Sequence, residues 1–162
     1  YIAPGNHDIL RPDSREVFFN NKFITQPFPY NIKIEEYFIF IDDSVSSKWK
    51  VSSVLVKKVN SYNNDLIVAR HNVPIAELLP FANNSSPEKI TLPNVDQFIK
   101  KFSREKNITW VIGDGGAFVH SPRLSCFEIE NHRFIINGLG EVENDTILIL
   151  YEGKIFQYLI DR

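Results

Sequence analysis

The sequence predicts a fold of mixed α and β elements, and three observations carry that reading. Apolar runs of strand length, such as LIVAR and ITWVI, each stop at a polar or glycine-containing turn. Stretches with helically spaced apolar residues lie between those runs, and beyond residue 120 only strand and hairpin signals remain. Hydrophobic residues make up 43% of the 162-residue chain and thirteen are phenylalanine, enough for one core, so residues 1–162 read as a single domain without repeat or linker.

The elements follow in order. Pro4, Pro12, Pro27 and Pro29 interrupt the first 29 residues, which predicts loop with short extended pieces. In NIKIEEYFIFIDD two extended runs flank Glu35 and Glu36 as a hairpin, and the all-apolar second run, Tyr37 to Ile41, predicts a strand deep in a sheet. From Ser47 to Asn60, Trp49, Val51, Val54, Leu55 and Val59 fall near one helical face with Lys50, Lys57 and Lys58 mainly opposite. Leu66 to Ala69 reads as a buried strand with His71 just past its carboxyl end. Asn94 is placed to cap a helix from Val95 to about Lys106, which turns Phe98, Ile99 and Phe102 to the core. Next, ITWVIGDGG is a short strand entering a glycine-rich turn, followed by LSCFEIE, the turn Asn131-His132, RFIINGLG, and a hairpin about Glu152-Gly153. His132 reads as an exposed turn residue.

Charge and composition exclude some functions. A formal net charge of -2 gives no nucleic-acid patch, and the lysines near residue 50 read as a solvated face. No apolar stretch reaches the roughly 18 residues that predict a membrane span. The single cysteine, Cys126, sits among apolar neighbours and reads as a buried strand residue. No methionine occurs, and the chain opens on YIAPGNHD, so the expectation is that Tyr1 is not the start of the natural protein.

Three strand ends deliver polar groups: Asn6, His7 and Asp8 after YIAPG, His71 after LIVAR, and Asp114 after TWVIG. In open α/β sheets, ligands bind outside the carboxyl ends of the strands. An amide oxygen, a neutral imidazole nitrogen and a carboxylate suit a divalent metal, and a second histidine is suited to proton transfer. Arg11, Arg15 and Arg123 are weaker candidates for contact with an anionic substrate.

The string PGNHD, followed in order by RHNVPI at a strand end and by a strand–glycine block, resembles the calcineurin-like metallophosphoesterase superfamily. That family's blocks run Asp-x-His, Gly-Asp-x-x-Asp, Gly-Asn-His-Asp/Glu, an isolated histidine after a strand, and Gly-His-x-His. The resemblance implies an α/β fold that is part of a four-layer αββα sandwich, with mixed sheets and a strand-rich C-terminal tail. It implies a phosphoester hydrolase with two divalent ions, such as Mn, Fe or Zn, acting on a phosphorylated small molecule or macromolecule. Asn6, His71 and Asp114 would be metal ligands; His7 and Asp8 would be catalytic, with His7 protonating the leaving oxygen.

Two departures shape the expectation for this chain. The first two blocks do not occur in it, so the resemblance implies an incomplete dinuclear site and an inactive fragment of an active parent. GDGG replaces Gly-His-x-His, so that Asp114 can still coordinate whereas Gly116 offers no side chain, and His120 is a weaker substitute. The alternative is a non-catalytic module that keeps the fold as a binding or scaffolding surface. A fragment of such a sandwich should also expose an apolar sheet edge or face through which copies could associate.

Overall fold

The computed structural model describes residues 3–5, 11–22, 24, 26–34, 37–82, 91–115, 124–138, 144–152 and 154–161. Its class is α/β, built on a mixed six-stranded sheet with a separate two-stranded antiparallel sheet. The strands are β1 (Tyr30–Ile34), β2 (Tyr37–Ile41), β3 (Leu66–Arg70), β4 (Ile108–Ile112), β5 (Leu124–Ile129), β6 (His132–Asn137), β7 (Asn144–Tyr151) and β8 (Lys154–Asp161). The large sheet runs β1-β2-β3-β4-β6-β5. Its four central strands are parallel, and β1 and β5 close the two edges antiparallel. Strands β7 and β8 form the small sheet.

Alternation puts one apolar row on each strand in register, such as Phe40, Val68, Trp110, Phe134 and Phe127. Helix α2 (Ser53–Asn60), a 3₁₀ helix (Ala76–Phe81) and α3 (Val95–Ile99) cover these residues, adding Leu55, Val59, Leu78, Phe98 and Ile99 to the same core. Each solvent-free aromatic here contributes on the order of 2–3 kcal/mol through burial. The opposite face is less covered: Ile39, Ile67, Ala69 and Val111 are half-buried. On the small sheet, Ile147, Ile149, Tyr151, Phe156 and Tyr158 are exposed.

Helix boundaries differ from expectation for local reasons. The first 29 residues contain a helix, α1 (Pro12–Phe19), because Pro12 stands at the first helical positions, where its fixed φ fits and its missing N–H is not needed. No residue of this helix is buried, which left no apolar stripe to read. Helix α2 begins at Ser53 rather than Ser47. Positive φ values at Lys48 and Trp49 interrupt any helix there, and the Ser52 side chain caps α2 by accepting from the Leu55 N–H. Asn94 does cap α3, in a reciprocal capping box with Gln97. That helix stops at Ile99, and tighter turns bring Phe102 onto the core. Lys106 then donates from Nζ to the Val59 and Tyr62 carbonyls at the end of α2.

Two further expectations are corrected. Cys126 is exposed, because on edge strand β5 alternation turns Phe127 and Ile129 toward the core and Cys126 outward. His132 is buried, stacked with Trp110 and Phe134, and its Nδ1 accepts from Trp110 Nε1 at 3.0 Å. Burial lowers its pKa to about 4, so the ring is neutral. Glu35, Glu36 and Gly153 lie outside the described residues. No helix among the described residues is long and apolar enough to cross a membrane.

Candidate functional site

The parallel strands β2, β3, β4 and β6 end along one rim of the sheet. Beyond those ends come Asp42 to Ser44, His71 and Asn72, Gly113 to Gly115, and Gly138. The connections here approach closely: Gly113 N–H donates to the Arg70 carbonyl and Gly115 N–H to that of Asn137. A Cβ on Gly138 would stand 1.4 Å from the Gly115 oxygen, so only glycine fits.

Under the rim, Arg70 ties β3 to the segment after β2. Its Nη1 lies 3.4 Å from Asp42 Oδ2, and Nη2 donates to the Trp49 carbonyl at 2.6 Å. Burial pushes the Asp42 carboxyl above its ordinary value, with Arg70 pulling the other way. Residues 43–50 fold over this pair by local bonds: Ser46 N–H to Asp43 Oδ1, Ser47 Oγ to the Ser44 and Lys50 carbonyls, and Trp49 N–H to the Ser44 carbonyl.

On the rim, three strand ends meet through side chains. Asn72 N–H donates to Ser44 Oγ at 2.9 Å, and Ser44 Oγ to Asn72 Oδ1 at 3.2 Å. Asn72 Nδ2 donates to Asp114 Oδ2 at 3.0 Å, and Asp114 Oδ1 stands 3.8 Å from His71 Nε2. Ser44, Asn72 and Asp114 are buried, whereas the His71 side chain is 19% exposed, so the site opens on the histidine side. Burial raises the Asp114 pKa to about 6 and the Asn72 hydrogen bond opposes the rise.

Of the residues singled out from the sequence, His71 and Asp114 are therefore brought together. Asn6, His7, Asp8, Gly116, His120 and Arg123 lie outside the described residues. Arg11 is exposed, and Arg15 donates to Ser46 Oγ with its guanidinium over the Phe19 ring. Ser44 and Asn72 were not singled out; a polar residue beside an apolar run reads as a turn until the neighbouring strand is known.

An imidazole nitrogen beside a carboxylate oxygen is a donor pair that fits a borderline divalent ion. Among the described residues no group of three or more His, Cys, Asp or Glu could hold an ion by itself. A cavity of about 410 Å³ lies at the other end of the strands, lined by residues such as Tyr37, Ile67, Thr109, Leu150 and Ile155. No family model matches the chain, and no curated protein or solved structure is significantly similar to it.

Proposed function

We propose that the chain carries part of a metallophosphoesterase-type site and that the protein hydrolyses phosphoesters with divalent metal ions. The observation that supports this most is the meeting of His71 and Asp114 at the carboxyl-end rim of adjacent parallel strands. They follow GNHD in the sequence order of the resembled blocks. Neither Asp-x-His nor Gly-Asp-x-x-Asp occurs in these 162 residues, so metal binding is proposed for this chain and turnover for a protein that supplies those blocks.

In this reading His71, Asp114 and Asn6 hold metal. The ions supply concentrated positive charge for the pentavalent phosphoryl transition state. His71 offers an imidazole nitrogen, and above pH of about 6 Asp114 is a carboxylate ready to coordinate. His7 gives a proton to the leaving oxygen, which a free alkoxide or phenoxide otherwise departs without. The six-stranded sheet is then one sheet of a four-layer αββα sandwich, with a second sheet packing on the half-buried face of Ile39, Ile67, Ala69 and Val111.

The test is hydrolysis of 4-nitrophenyl phosphate and bis(4-nitrophenyl) phosphate with added Mn²⁺, using the chain together with a segment that carries Asp-x-His and Gly-Asp-x-x-Asp. Turnover should depend on Mn²⁺ and fall by about 100-fold or more in His7→Ala, the size of a lost general acid. Turnover indifferent to both Mn²⁺ and His7→Ala would contradict the reading. A well-folded protein that neither binds Mn²⁺ nor hydrolyses either ester is instead the non-catalytic module.

A further inference from the structure

The amide of Asn72 is a buried group whose oxygen and nitrogen are each engaged by a side chain from another strand end. Ser44 Oγ already accepts from the Asn72 backbone N–H, so its own proton goes to Asn72 Oδ1. That fixes which way the amide faces. Turned over, it would set Oδ1 against Asp114 Oδ2, oxygen against oxygen, and would leave the buried hydroxyl proton of Ser44 without its acceptor. In the observed orientation Nδ2 occupies Asp114 Oδ2, while Oδ1 of the same carboxylate is directed toward the more open His71 side.

We propose that Asn72, oriented by Ser44, is a positioning residue that holds the Asp114 carboxylate so that one oxygen is engaged inside the protein and the other is presented with His71 to a divalent cation. This rests on the metal-site reading above. Main-chain bonds on either side, Gly113 N–H to the Arg70 carbonyl and Gly115 N–H to that of Asn137, pin the backbone about Asp114. The direction of its carboxylate is then set by side-chain contacts, of which the Asn72 hydrogen bond is the buried one. Groups that orient a ligand in this way are worth about 10–100-fold in metal affinity.

The experiment is calorimetric titration of the chain with Mn²⁺ alone, on wild type, Asn72→Leu, Asp114→Asn and the double variant, with Ser44→Ala as a milder second probe. Asn72→Leu should weaken Mn²⁺ binding by about 10-fold or more while far-ultraviolet circular dichroism stays unchanged. Ser44→Ala should weaken it in the same direction by less. In the Asp114→Asn background, Asn72→Leu should cost nothing further, because the carboxylate it orients is already gone. Equal losses in both backgrounds, or wild-type affinity in Asn72→Leu, would overturn the positioning role while leaving the metal site standing. If Asn72→Leu does not fold, the same comparison of backgrounds is made with Ser44→Ala. Wild-type protein that binds no Mn²⁺ overturns the metal-site reading and this inference with it.

Discussion

The two ends of the parallel strands make opposite use of their polar residues. At the carboxyl ends, Ser44, Asn72 and Asp114 come from three different strand ends, are buried, and depend on one another across the sheet. At the amino ends a cavity of about 410 Å³ is bordered by polar groups whose links are exposed or half-buried. Asp65 accepts from both the backbone and side-chain nitrogens of Asn107, Glu128 pairs with Arg133 across one ladder, and Asn131 donates to the Ser103 and Lys106 carbonyls. The rim is the candidate site because its buried groups converge beside the partly open His71, whereas the links around the amino-end cavity are exposed or half-buried.

That contrast can be broken most severely through the ion pair under the rim. Arg70→Ala leaves the Asp42 carboxylate buried without its cation and removes the donor to Trp49, so urea unfolding should register a loss of about 3–5 kcal/mol. A loss under 1 kcal/mol would mean that the rim is not held from below by this pair.

Next in size is a pair of opposed pH dependences, measured with chelator present. The folded state holds the Asp114 proton more tightly than the unfolded chain, with a pKa of about 6 against 3.8. Asp114 therefore contributes stability below pH of about 4 that is lost as the pH rises through 6. His132 behaves in reverse: its pKa falls from 6.5 to about 4, so its contribution is present above 6.5 and lost as the pH drops toward 4. Asp114→Asn should accordingly raise stability at pH 7, by up to about 3 kcal/mol from a shift of this size, and remove the falling limb that Asp114 contributes between pH 4 and 6. A variant that is less stable at pH 7 would make Asp114 a structural residue. The smallest effect belongs to the other end, where Arg133→Ala removes a half-exposed pair with Glu128 and should change stability by less than about 1 kcal/mol.

Strands β2, β3 and β4 were legible because each is a five-residue, mostly apolar run stopped by a polar or glycine turn, and His71 and Asp114 were legible because each falls just past such a stop. What escaped is whatever depends on a neighbour distant in sequence. Asn72 and Ser44 are 28 residues apart and Asn72 and Asp114 are 42 apart, so their linkage exists only once β2, β3 and β4 lie side by side. His132 sits in an Asn-His-Arg turn that reads as solvated, yet its place in register beside the Trp110 row buries it. Helix α1 escaped for a local reason, since Pro12 is both a loop signal and a favoured first helical residue.

The most direct measurement adds substoichiometric Mn²⁺ to ¹⁵N-labelled protein and records which amide signals are broadened by the paramagnetic ion. The account predicts that His71, Asn72, Gly113 and Gly115 disappear first while Asn107, Thr109 and Arg133 persist, and that Asp114→Asn restores the lost signals. Broadening centred on Asp65, Glu128 and Glu130 around the amino-end cavity, or none at all, would contradict it.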